Sequence, residues 1–514
     1  MALLGFEASD GGVWKRTKKI TILALAIVAI QKKLLFLPSI FAQKLQGSKK
    51  RVTLNDRFMK KLKLVIGLLL SVVALCVTLY SAMNRPPAND LTLDAQVLQI
   101  LSDGGCVSCH SASAPKPFYA EFPVAGDVVK KDIEQGYRAF DVEPLMSALA
   151  GVGKPSAVDV SKVEKVALDK SMPVAKYFLV HWGSQMTSAK RDIILEWAAS
   201  LREQTYADGV AGSEPVRPIV QSVSVDERKA ALGRMLYHDV RLSVDNTVSC
   251  ASCHDLATAG VDNKQYSEGV EGQKGGVNAP TTYNAVYNFV QFWDGRAATL
   301  ADQAAGPPLN PVEMASSSFD EIIAKLAADK DLTGQFEESY PDGWSQANIT
   351  NAIEEFERTL ITPNAPFDKY LLGDKSAISA SAKKGYDLFK EYGCATCHTG
   401  VNLGGESYEL MGLRRHYFKE RGLALTEEDN GRFKQTGDER DRHRFKVPGL
   451  RNVELTWPYY HDGTRLTLED AVRDMAIYQC DVDPSQADVN DMVEFLNSLT
   501  GEFEGKTLTN QNTK

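Results

Sequence analysis

Regular alternation of apolar and polar residues is scarce in this chain of 514 residues, which excludes a strand-rich fold and leaves helices joined by long loops. Basic residues run short after the first 63 positions. Residues 1–63 hold 14 Lys and Arg against 3 Asp and Glu, leaving 44 against 63 in the rest. So acidic a body repels nucleic acid, and none is expected as a partner. A narrower gap lies in the 38 residues from Asp255 to Phe292, which hold no His, Met or Cys. Strong side-chain ligands for a soft or borderline metal are therefore missing from that stretch.

One long run lacks charge altogether. Leu64 to Met83, LVIGLLLSVVALCVTLYSAM, is 20 residues without an ionisable group of either sign, matching the ~20 that a helix needs to cross a bilayer. Lys60, Lys61 and Lys63 precede it, and beyond Arg85 the chain turns acidic. The positive-inside rule then predicts a bacterial inner-membrane protein with one span over residues 59–85 and its working part in the periplasm. A cleaved signal peptide is the rival reading, although the run is long for one and no small-x-small site follows. Cys76 reads as an apolar membrane residue. Upstream, Ile20 to Ile30 is only 11 apolar residues, too short to span. Residues 1–58 read as a cytoplasmic extension or a mis-assigned start, and carry no assigned function.

What is present is more specific. Six of the eight cysteines sit in three CxxCH motifs: Cys106, Cys109 and His110; Cys250, Cys253 and His254; Cys394, Cys397 and His398. Both thiols of such a motif bond the edge of a haem while the adjacent histidine reaches the iron, so three covalently bound c-type haems are expected. A mainly α fold follows, with three c-type cytochrome-like helical domains after the membrane helix. Their expected bounds are 86–204 for the first haem domain, 205–221 for a linker, 222–372 and 373–505 for the second and third, and 506–514 for a tail. SVDERKAALGRMLYHD before Cys250 and SAKKGYDLFKEYGCATCHTG around Cys394 repeat one order, helix then haem, as in a diverged duplication.

Each iron needs two axial ligands to carry electrons and an open position to do chemistry. For the third haem the candidate is Met475, on a predicted helix in LEDAVRDMAIYQ; a thioether opposite His398 would raise the potential, whereas packing in the core is the plain alternative. For the first haem the candidates are Met172, followed by Pro173 as in the ligand loop of small c-type cytochromes, then His181, Met186 and Met146. The second haem faces the empty interval, whose Gly269, Gly272, Gly275 and Gly276 let the backbone approach closely. Nearby, FWDGRAATLADQAAGPPLNPVEM supplies Trp293, Gln303 and Glu313. Splitting a peroxide requires a group that takes a proton from the near oxygen and returns it to the far one, with a donor to steady the departing charge. Glu313 and Gln303 suit those roles; a solvated carboxylate and a core tryptophan are the plainer readings.

The run from LGRMLYHDVRLSVDNTVSCASCH through FWDGRAATLADQAAGPPLNPVEM to FKVPGLRNVELTWPYYHDG resembles the bacterial di-haem cytochrome c peroxidase family over about residues 222–503. The preceding haem module and the anchor are similar to its membrane-bound, tri-haem branch of periplasmic quinol peroxidases. The resemblance implies a peroxidatic second haem with Glu313 as acid/base and Gln303 as its partner. It also implies an electron-transferring third haem with Met475 as distal ligand, and Trp293 between the two. A calcium ion is implied on Asn278 and the carbonyls of Thr456 and Pro458, oxygen ligands that suit a hard cation.

One departure stands out. Many relatives carry a histidine after a glycine in the loop beyond the peroxidatic motif, where it caps the iron until reduction; here that place is Gly269-Val270, and valine cannot ligate. The expected reaction is reduction of hydrogen peroxide to water with electrons from membrane quinol, or from a small cytochrome or copper protein, entering at the first haem. A protein-oxidising di-haem enzyme is the rival, against which Met475 and Glu313 both argue; a non-catalytic multihaem conduit is the other. A homodimer is compatible with the sequence. His238 and His461 read as partners of propionates or backbone. His416 and His443 lie among arginines expected to pair with propionates and acidic neighbours, or to form a donor-docking patch. Cys480 reads as a free or buried thiol.

Overall fold

The computed structural model describes residues 52–123 and 125–510; the run Ile20 to Ile30 lies outside them. The chain divides into a unit up to Arg85 and a unit from Pro86 onward. In the first, α1 (Val52–Met83) includes Phe58–Met83, a stretch of 26 residues long and apolar enough to cross a membrane. Most of the leucines and valines in that stretch are exposed, among them Leu64, Leu68, Val73 and Leu79. Ser71 and Thr78 return their hydroxyls to the carbonyls of Gly67 and Ala74, at 2.9 and 2.8 Å, so neither asks for water.

The second unit is mainly helical. Its first portion holds α2 (Leu93–Asp103), α3 (Ala125–Ala139), α4 (Glu143–Leu149), α5 (Ala157–Asp169) and α6 (Ser188–Tyr206). Thr92, Ser156 and Thr187 start α2, α5 and α6 by accepting a free N–H of the first turn. Val97, Ile100, Leu145, Ile194 and Trp197 close their core.

Next come α7 (Glu227–Tyr237), the one-turn α8 (Cys250–Cys253), α9 (Leu300–Ala304), α10 (Phe319–Ala327), α11 (Lys330–Ser339) and α12 (Gln346–Thr359). They pack around Leu236, Ile322, Phe336 and Ile353.

The last set is α13 (Pro366–Leu371), α14 (Ala380–Glu391), α15 (Tyr417–Glu420), α16 (Phe433–Thr436), α17 (Leu468–Cys480) and α18 (Gln486–Asn497). Phe367, Tyr386, Val489 and Phe495 form its centre. Among the described residues the strands are two short antiparallel pairs. One joins β1 (Tyr408–Leu410) to β2 (Arg444–Lys446), with Glu409 opposite Phe445; the other joins β3 (Glu502–Phe503) to β4 (Lys506–Thr507).

Two segments differ from what their composition suggests. The connector over 205–221 is not loose: Val216 pairs with Gly400 in a parallel bridge, and Arg217 is fully buried, donating to Asp208 and the Val210 carbonyl. Residues 508–510 are likewise held, because Leu508 joins a core with Tyr237 and Phe356, and buried Asn510 donates to Asn263 at 2.7 Å and to the Leu455 carbonyl. Both segments gain their backbone partners from far along the chain, which local composition does not record.

A buried carboxyl yields a pH prediction. Glu357, on α12, is buried with its Oε2 unpartnered, and burial, with Glu354 nearby, pushes its pKa from 4.5 up to about 8. A raised folded-state pKa means that the stability due to this carboxyl is complete below the unfolded value near 4.5 and is lost as the pH rises through about 8. Glu357→Gln should abolish that loss, so melting temperature followed from about pH 5 to about pH 9 should fall in the parent and stay level in the variant. Parallel curves would refute it.

Candidate active site

The CxxCH residues occupy equivalent places. Cys106 follows α2, Cys250 to Cys253 form α8 after α7, and Cys394 follows α14. Gly105 precedes the first motif with φ 69°, a left-handed conformation that favours glycine. All six motif cysteines are unpaired, and burial raises the thiol pKa of Cys106 and Cys253 to about 11. Burial thus favours the neutral thiol in both.

The three histidines share burial but not orientation, since the His254 Nδ1 is buried without a hydrogen-bond partner. Burial lowers the pKa of each, keeping the imidazole neutral. His110 turns Nδ1 to the Phe140 carbonyl at 3.1 Å and His398 turns Nδ1 to the Leu403 carbonyl at 2.9 Å, leaving Nε2 for iron. The residues present thus fit haem.

One cavity of about 900 Å³ is bordered by both the first and the third motif. Its walls include Met172, Met186, Met475 and Trp293. Of the four candidates for the first haem, then, Met172 and Met186 reach the cavity. Met146 packs into the first core, and His181 has both ring nitrogens occupied, Nδ1 by the Tyr177 carbonyl at 3.2 Å and Nε2 by the Tyr119 hydroxyl at 3.3 Å. Met475 stands on α17, the predicted helix, and borders the cavity with His398. Met475→His should lower the midpoint potential of one haem in a redox titration by at least on the order of 100 mV, within the ~0.8 V over which axial ligands tune haem. An unmoved set of potentials would remove Met475 from the ligand set.

The first portion docks on the third beside this cavity. Lys162 Nζ meets Glu409 at 2.6 Å, Ser161 and Thr399 share a hydrogen bond of 3.0 Å, and Arg138 donates to the Gly412 carbonyl at 3.0 Å. Lys446, of FKVPGLRN, was not singled out by the sequence pattern. It is buried on the cavity wall, where desolvation lowers its pKa to about 8. A buried ammonium requires an anion, and a haem propionate would supply one.

Around the second motif, Glu313 is part-buried in the turn after α9. Its Oε1 accepts from Asn310 at 2.7 Å. Burial raises its pKa, while Arg296 and the Asn310 amide pull the other way. The carboxyl is close enough to Cys250 and Cys253 to raise their pKa values by charge repulsion. Gln303 stands on α9 within the same stretch, its backbone bonded to Thr299.

The loop that lacks histidine closes against this carboxyl. The Val270 N–H donates to the Glu313 carbonyl at 2.8 Å, and a Cβ on Gly269 would meet the Val312 and Glu313 carbonyl oxygens at 2.3 and 2.4 Å. Glycine is required by that approach. Val270 itself is 3% exposed, in a core shared with Ala304, Met314 and the edge of Cys250.

Trp293 links several of these parts. Its indole N–H donates to the Asn278 carbonyl at 3.0 Å, its own carbonyl accepts from the Lys446 N–H at 2.8 Å, and its ring stands edge-on to His461 at 6.4 Å. Asn278 uses its amide nitrogen on the Lys264 carbonyl, leaving Oδ1 for a cation. Thr456 and Pro458 flank Trp457, whose carbonyl takes the Asn263 amide at 2.7 Å. His461 is committed to Asp429 at 2.8 Å, and Arg421 pairs with both Asp429 and Asp462. The neighbouring arginines also pair with acidic residues, Arg440 with Asp438 and Arg442 with Glu439. His238 and His443 turn Nδ1 to the carbonyls of Arg234 and Asp429. Cys480 is a free thiol beside Cys394.

Fold and site together define a helical haem oxidoreductase. Residues 227–376 match the family described as di-haem cytochrome c peroxidase, and residues 71–200 match a haem-binding domain. The chain is 49% identical over 421 residues to "Cytochrome c peroxidase Ccp" of Escherichia coli (strain K12), covering 81% of this chain and 90% of that protein. It is 44% identical over 298 residues to "Cytochrome c551 peroxidase" of Nitrosomonas europaea, covering 57% of this chain and 86% of the relative. Among solved structures, a MauG-like protein associated with microbial copper homeostasis superposes with TM-score 0.49 at 28% identity, over 56% of this chain and 93% of that one. This chain belongs to the di-haem cytochrome c peroxidase family. It is an oxidoreductase of the cytochrome c peroxidase type.

Proposed function

We propose that the protein is a membrane-anchored, periplasm-facing peroxidase with three c-type haems, reducing hydrogen peroxide to two waters with two electrons and two protons from membrane quinol. The observation that carries the reading is the single cavity bordered by the first and third motifs and by Trp293. Likeness to the Escherichia coli relative over 81% of the chain, against 57% for the Nitrosomonas one, supports a first haem domain integral to the enzyme.

Haem, when bound, would supply the redox chemistry; His110, His254 and His398, with Met172 and Met475, would hold the irons. Glu313 takes a proton from the near peroxide oxygen at Oε2 and returns it to the far one, while Asn310 holds Oε1. Gln303 donates to the oxygen on which charge develops. Trp293, fixed by its bond to Asn278, fills the path between the second and third sites. A calcium ion on Asn278 Oδ1 and the carbonyls of Thr456 and Pro458 would stiffen that path. The loop at Val270 offers no histidine, methionine or cysteine that could hold iron there.

The test is peroxide consumption by the detergent-solubilised protein with a reduced quinol analogue as sole donor. Turnover is expected. Failure with quinol but turnover with a small reduced cytochrome would discard the donor and keep the peroxidase. Silence with both would leave only the electron-conduit reading.

A further inference from the structure

The first haem portion carries a connected line of aromatic side chains that neither haem attachment nor peroxide chemistry uses. Phe122 stands edge-on to Phe118 at 5.7 Å, Phe118 to Tyr119 at 5.5 Å, and Tyr119 to His181 at 5.8 Å; His181 stacks on Tyr177 at 3.8 Å. The line ends at the haem. Tyr177 borders the cavity, and its hydroxyl lies 2.2 Å from where a Cβ on Gly105, the neighbour of Cys106, would stand. Its other end is open to solvent. Phe118 is 76% exposed, Phe122 53%, Val180 65% and Trp182 57%, a density of exposed apolar side chains that marks a binding surface.

His181 sits where this surface meets the line. Its Nδ1 faces the Tyr177 carbonyl, an acceptor only, and so carries hydrogen; Nε2 is then the acceptor, held by the Tyr119 hydroxyl. A proton-accepting nitrogen behind a tyrosine hydroxyl, ringed by exposed aromatics and one side chain away from a haem cradle, matches what a quinol requires. The headgroup needs stacking surfaces, its hydroxyl needs a proton acceptor, and its electrons need a nearby oxidant.

We propose that Tyr119 and His181, with Phe118, Phe122 and Trp182 as the apolar rim, form the site at which membrane quinol binds and is oxidised. This rests on the quinol-donor reading above. Quinol loses two O–H bonds and becomes quinone. One proton passes through the Tyr119 hydroxyl to His181 Nε2, the other leaves to water, and the two electrons are accepted one at a time by ferric haem held at Cys106 and Cys109. Peroxide reduction drains them.

The test uses the full-length haem-loaded protein in lipid nanodiscs, with two readouts. The first is binding of a fluorescent hydroxyquinoline N-oxide, a quinol mimic, followed by quenching. The second is the rate at which a short-chain quinol reduces the first haem, without peroxide, in stopped flow. Phe118→Ala/Phe122→Ala should weaken mimic binding at least about tenfold, and Trp182→Ala, a milder change on the same rim, should weaken it in the same direction. His181→Asn should slow haem reduction by about 10²-fold or more, the range of a lost general base, with binding of the mimic retained. Leu466→Ala, 68% exposed but outside this rim, should change neither readout. If the parent is reduced by quinol and the rim and His181 variants behave like it, the site is wrong and the donor stands. A parent that quinol cannot reduce, though ascorbate can, overturns the donor and this site together.

Discussion

Glu313→Gln will reduce peroxide turnover by about 10²–10⁴-fold, the span usual for loss of a positioned acid/base, while the visible spectrum of all three haems stays that of the parent. Glutamine keeps the volume of the side chain and its contact with Asn310 yet cannot carry the proton. Burial raises the carboxyl's pKa, which makes its carboxylate a better proton acceptor than that of an exposed glutamate. Rapid mixing with peroxide separates the alternatives. A variant that consumes peroxide at the parent's rate would show Glu313 to be a structural carboxylate, and the roles given to Gln303 and the 300–314 turn would fall with it.

Fully oxidised protein will give a high-spin ferric signal from one haem by electron paramagnetic resonance, without prior reduction. The reason is the loop at Val270. Its N–H is bonded to the Glu313 carbonyl, its isopropyl group is in the core, and Gly269 permits the backbone to close on Val312 and Glu313. No imidazole, thioether or thiolate is available from residues 255–292. An all-low-spin spectrum would sink the idea. Val270→His should restore a ligand and convert the signal to low spin. If that ligand is bound nine-tenths of the time, reaction of the oxidised protein with peroxide slows about tenfold.

The sequence made the chemistry of attachment legible because CxxCH is contiguous, and α7 and α14 stand where SVDERKAALGRMLYHD and SAKKGYDLFKEYGCATCHTG put a helix before the haem motif. The helix bearing Met475 and the apolar span ending at Met83 were legible for the same reason. Contacts between distant segments were not. Nothing near Lys162 announces Glu409, nothing near Arg217 announces the bridge from Val216 to Gly400, and Asn510 gives no sign of Asn263. In the sequence His181 reads as a possible iron ligand, whereas in the fold its ring nitrogens meet the Tyr119 hydroxyl and the Tyr177 carbonyl. Lys446 lies inside a quoted motif and still went unnoticed, since burial of a cation on a cavity wall is a property of the assembled walls.

Two haem-attachment motifs opening into one cavity also set an order of manufacture. Thioether bonds are made by machinery that must reach Cys106 and Cys394, yet the docked α5, with Lys162 on Glu409 and Ser161 on Thr399, walls the space they share. Delivery of haem while these portions are still apart would leave the four partly exposed thiols open to that machinery, with docking to follow.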